Sequence, residues 1–117
     1  MFTDEDRMLM RQDYFTMSIE GDSVFEFISQ NGDWWMVIQL ERYMTKKELA
    51  AGKPKRRFYR LLHRHADADD YHEHGEYLSV LDAVLEVINH DDYRLHNKGR
   101  THFDELLESY GGRFCYG

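Results

Sequence analysis

The sequence predicts an α+β fold: an antiparallel sheet of about four strands joined as a meander, with helices packed mainly on one face. Three observations carry this. The stretch 34–43, WWMVIQLERY, alternates its large apolar residues and directly follows Asn31-Gly32, a dipeptide suited to a tight type I′ hairpin turn. Two further alternating runs precede it, separated only by short polar breaks, which makes successive antiparallel pairing the natural topology. Last, Tyr77, Leu81, Val84, Leu85 and Ile88 recur at spacings of three and four over 76–89, the mark of an amphipathic helix that lies across a sheet.

In chain order, Thr3 followed by Asp4, Glu5 and Asp6 is a helix start, with a hydroxyl cap and acids at the positive end of the dipole. That helix is expected to end near Asp13. Residues 14–20 alternate and place Phe15, Met17 and Ile19 together, Gly21-Asp22-Ser23 breaks the run, and 24–29 reads as a second strand. In the central strand Trp34, Met36, Ile38 and Leu40 share one face, taken as the face a helix covers, and Trp35, Val37, Gln39, Glu41 and Tyr43 share the other. Thr45 to Glu48 matches a capping box, closed by Gly52 and Pro54. The segment 55–65, KRRFYRLLHRH, reads as a fourth strand with Tyr59, Leu61, His63 and His65 on one face. Residues 67–75 read as a polar connection, and Asp91 and Asp92 as the end of the main helix. Residues 93–96 suit a short extended piece and 97–99 a turn. Thr101 then caps a last helix, 102–110, with Phe103, Leu106, Leu107 and Tyr110 inward.

At 117 residues, 42% of them hydrophobic, residues 1–117 are expected to form a single domain with its own core. Cys115 is the only cysteine, which excludes an intrachain disulfide and suits a reducing compartment. The acidic opening MFTDEDRMLM is unlike a secretory leader, and no apolar run approaches the length of a membrane span. The expected setting is cytoplasmic, in a bacterium or a phage-infected host, without membrane association.

Charge is unevenly placed. Residues 42–64 hold nine of the fifteen basic residues against one acid, a local +8, and the remainder carries −15, for a net charge of −7. Lys46, Lys47, Lys53, Lys55, Arg56 and Arg57 flank the connection between the third and fourth strands, with Phe58 and Tyr59 beside them. Cations neutralise phosphates and aromatics stack bases, so this block is a candidate nucleic-acid contact. The acidic remainder opposes a strong interaction of that kind, and direct nucleic-acid binding is expected to be weak. Asp67, Asp69, Asp70, Glu73 and Glu76 fall within ten residues and are the candidate docking site for a basic groove on a partner protein, with Trp35 and Tyr71 as aromatic anchors.

His63, His65, His72 and His74, interleaved with these acids, are the alternative: ligand types suited to zinc, iron or manganese. The stretch HRHADADD begins like the HxHxDH motif of metallo-β-lactamase-fold hydrolases. Ala68 stands where the last histidine belongs and the chain is too short for that fold, so the likeness is set aside. No H-E-x-x-H, cysteine pair, G-x-S-x-G or phosphate-binding glycine loop is present, nor a base placed by sequence beside Cys115. On spacing alone, no metal, no cofactor and no enzymatic activity are expected. The function expected is that of a small acidic protein-binding module, an inhibitor of a nucleic-acid-handling protein. Phage anti-CRISPR proteins and toxin immunity proteins share this size and charge, some acting as nucleic-acid mimics, and no motif links the chain to them. Nucleic-acid binding through 46–57 and a His/Asp metal-dependent hydrolase are the alternatives.

Overall fold

The computed structural model describes residues 1–43 and 45–94. Helix α1 (Asp4–Met10) is followed by strands β1 (Thr16–Glu20), β2 (Val24–Ile28) and β3 (Trp34–Arg42). A short helix α2 (Lys46–Ala50), strands β4 (Arg56–Arg64) and β5 (His72–Tyr77), and the long helix α3 (Val80–Arg94) complete the order. The five strands form one antiparallel meander in the order β1-β2-β3-β4-β5. The α+β class holds, with a fifth strand where the sequence suggests a polar connection. The helix expected over 102–110, the extended piece and turn expected after Arg94, and Cys115 lie outside the described residues. No helix among the described residues is long and apolar enough to cross a membrane.

Helix α1 is capped as its sequence implies: the Thr3 hydroxyl accepts from the Asp6 N–H at 3.0 Å and the Asp6 carboxylate accepts from the Thr3 N–H at 3.2 Å. The β2–β3 hairpin differs from a two-residue type I′ turn. Ser29 N–H donates to the Asp33 carbonyl and Gly32 N–H to the Ser29 carbonyl, enclosing a three-residue loop in which Gly32 takes φ 86°.

The helices cover the face opposite to the one alternation alone favoured. Trp35 and Val37 are fully buried, and Trp34, Met36, Ile38 and Leu40 are only half-buried. Register explains the choice. Trp35 stands between Phe27 and His63, and Val37 between Phe25 and Leu61, so the aromatic residues of β2 lie on the Trp35 side. Phe2, Leu9 and Met10 from the N-terminal region and Val80, Val84, Leu85, Val87 and Ile88 from α3 close over that side. Burying one such side chain contributes about 1.5–3 kcal/mol, so this layer dominates the stability.

The other sheet face is roofed by long polar side chains. Tyr71 reaches from the β4–β5 loop across the strands to donate to the Glu26 carboxylate at 2.8 Å. The Arg64 guanidinium lies 4.6 Å from the Trp34 ring, and that of Arg42 4.1 Å from Phe58.

Helix α3 begins at Val80, with the Ser79 hydroxyl accepting from the Asp82 N–H at 3.0 Å, and runs past Asp91 and Asp92. The aspartates expected to end it are built into the helix because Asp91 has a buried task. Its carboxylate accepts from the Tyr14 hydroxyl at 3.0 Å, the Ser29 hydroxyl at 2.8 Å and the Asn31 N–H at 3.2 Å. The Trp35 indole donates in turn to Ser29 Oγ at 3.0 Å. One carboxylate therefore fixes α3 to the β2–β3 hairpin and to the chain entering β1.

Candidate metal centre

Antiparallel pairing of β4 with β5 gathers histidines that are separated in sequence. His63 stands opposite His72, so both side chains project to the helix-covered side. The register shifts between Leu61 and Leu62: Leu61 pairs with Gly75 and Leu62 with Glu73, leaving His74 as the extra residue of a bulge. The bulge turns His74 to the same side, where its ring meets Trp35 edge-on at 5.4 Å.

His63 is the hub. Its ring stacks on the Trp35 indole at 4.1 Å, and the rings of His65, His90, His72 and His74 surround it at 4.6, 4.7, 5.1 and 6.0 Å. Five of the seven histidines of the chain thus share one end of the sheet. The ligand atoms of His63, His72 and His74 lie within 4.8 Å of one another, and those of Asp33, His63 and His65 form a second such set. Both sets share His63.

Two carboxylates orient these rings. Asp33, held in the hairpin that Gly32 closes, places Oδ2 2.8 Å from His63 Nε2 and 3.8 Å from His65 Nδ1. Glu86 of α3 places Oε1 3.1 Å from His74 Nε2. A carboxylate on one ring nitrogen fixes the tautomer that presents the other, the outer-shell arrangement of histidine metal sites. Burial lowers the His63 pKa below its ordinary value, partly opposed by Asp33, and so favours the neutral, ligating imidazole.

Asp67, Asp69 and Asp70 are exposed on the β4–β5 loop, but Glu73 and Glu76 are partnered on β5. Arg60 lies 3.5 Å from Glu73 and 3.8 Å from Glu76, and Arg42 lies 3.3 Å from Glu76. The five acids are thus divided between an exposed loop and the strand β5. Trp35 is fully buried beneath α3 and so unavailable as an anchor, and Tyr71 is half-buried against Glu26 and Arg64. Alternation places Trp35 on one of two faces and does not say which face the helices choose.

Lys46, Lys47, Lys53, Lys55, Arg56 and Arg57 lie at the far end of the β3–β4 ladder, where Arg42 pairs with Arg56, while Trp34 pairs with Arg64 near the histidines. Arg56 is ion-paired with Glu48, Arg57 lies 3.6 Å from Glu41, and Lys55 Nζ lies 5.9 Å from the Tyr43 ring centroid.

Asp33, Glu86 and His90 are the members that spacing did not single out, because each reaches the cluster through tertiary structure: a hairpin turn and the sheet-facing side of α3. The available signal was the symmetry of the β4–β5 hairpin, which sets His63 against His72 once 72–77 is read as a strand. No protein-family model, curated protein or solved structure matches the chain.

Proposed function

We propose that this protein binds a divalent transition-metal ion through His63, His72 and His74, with Asp33 and Glu86 orienting the rings. The observation that carries this reading is the convergence of three imidazole ligand atoms within 4.8 Å, drawn from two strands. Imidazole ligands suit zinc, copper and nickel, and the set contains no thiolate. The test is elemental analysis and calorimetric titration of the chain purified without a histidine tag. One equivalent of zinc is expected, with binding abolished in His72→Ala, whose side chain sits at the exposed edge and can be removed without opening the core. Asp33→Asn is expected to weaken affinity about 10–100-fold. Absence of a stoichiometric ion, or binding indifferent to His72→Ala, overturns the proposal.

A second reading, docking of a basic partner protein, is favoured by Asp67, Asp69 and Asp70, all exposed on one loop. It retains the inhibitor class expected from the charge distribution. Opposed charges chiefly accelerate association. Reversing the three aspartates to lysine is therefore expected to slow binding of a captured partner at low salt, and an unchanged association rate dismisses it.

A further inference from the structure

The three-histidine set is graded in exposure, and the grading indicates what else the ion binds. His63 has a side chain 2% exposed, His74 21%, and His72 is exposed on β5, the edge strand of the sheet among the described residues. The ligand trio is therefore closed on the core side and open toward the edge. The carboxylates nearest to it are already engaged, Asp33 by His63 Nε2 at 2.8 Å and Glu86 by His74 Nε2 at 3.1 Å. Each carboxylate occupies one nitrogen of a ligand ring. Among the described residues the set holds three ligand groups, and a tetrahedral ion takes four.

Resting on the metal-binding reading, we infer that the ion keeps one exchangeable position, on the His72 side, for water or a small anion with an oxygen or nitrogen donor. Structural zinc sites are closed by four protein ligands, whereas sites that act on a bound molecule keep three and leave one open. Charge favours an anion there. Three neutral imidazoles bring no charge to the ion itself, and Asp33 and Glu86 reach it only through their rings, so a bound cation of formal charge about +2 is the largest local charge in such a site. The ligand class is a small anion: hydroxide, azide, a carboxylate or a phosphate oxygen. His65 is the rival for the position, because its ring lies 4.6 Å from His63 and 6.1 Å from His72. Its Nδ1 lies 3.8 Å from Asp33 Oδ2, which places it in the second set instead.

The experiment loads the metal-free full chain with one equivalent of cobalt(II) and records its visible ligand-field absorption while azide is added. A saturable spectral change at one azide per cobalt is expected, retained in His65→Ala. Failure to take up cobalt or zinc overturns the metal-binding reading and this inference with it. Cobalt uptake with a spectrum indifferent to azide overturns this inference alone. Azide sensitivity that emerges only in His65→Ala identifies His65 as a fourth ligand and likewise overturns it.

Discussion

Asp91 contributes the shared acceptor for three donors, and each is buried or half-buried where water does not readily replace a lost partner. Asp91→Ala leaves those donors unsatisfied and is expected to cost roughly 3 kcal/mol, read from chemical denaturation. Burial also raises the Asp91 pKa, against the lowering effect of its hydrogen bonds. The native state thus holds this proton more tightly than the unfolded chain. The contribution linked to its titration is full below the unfolded value near 3.8 and is lost as pH rises through the raised native value. Asp91→Asn is expected to flatten that part of the stability–pH curve. The phenols report the alkaline limit. Burial, with the charges of Glu86 and Asp82, pushes the Tyr77 pKa up to about 12, and Tyr14, Tyr59 and Tyr71 are raised as well. An unfolded tyrosine ionises near 10, so stability is expected to fall as pH climbs from 10 toward 12. Thermal melts across that window check this, and Tyr77→Phe reduces the slope.

The β2–β3 hairpin carries Asp33 to the histidines, and its loop depends on the left-handed conformation of Gly32. Gly32→Ala is expected to destabilise the fold by about 1 kcal/mol, measured by denaturant titration, because a Cβ is strained there. The position of this turn but not its type, the central strand, and the amphipathic character of α3 were legible from local pattern: a glycine after polar residues, alternation, and repeats of three and four. Strand β5 was not, since HEHGEY has no β-branched residue, only Tyr77 among the large aromatics, and a glycine. Its strand state comes from pairing with β4 and from the bulge at His74, neither of which is local. The same holds for the end of α3, where the buried partners of Asp91 override the usual preference of aspartate for helix starts. The histidine cluster was therefore visible as residue types and invisible as geometry. Its four candidate histidines were in view, but the register and bulge of β5 bring His72 and His74 to His63, and His65 groups with Asp33 and His63.

Across the whole molecule, the basic connection and the histidine cluster occupy opposite ends of the paired nine-residue strands β3 and β4. Nine extended residues span about 27 Å, whereas charge is screened over about 8 Å at physiological salt. Replacing Lys46, Lys47 and Lys53 by glutamate is therefore expected to leave metal affinity within twofold of the parent, in contrast to Asp33→Asn, as calorimetric titration of both variants measures. The ladder acts as an insulating spacer. A dye, tether or fusion attached at Lys47, in the connection at the far end of that ladder, becomes a handle by which the protein is immobilised or followed with the histidine end left untouched.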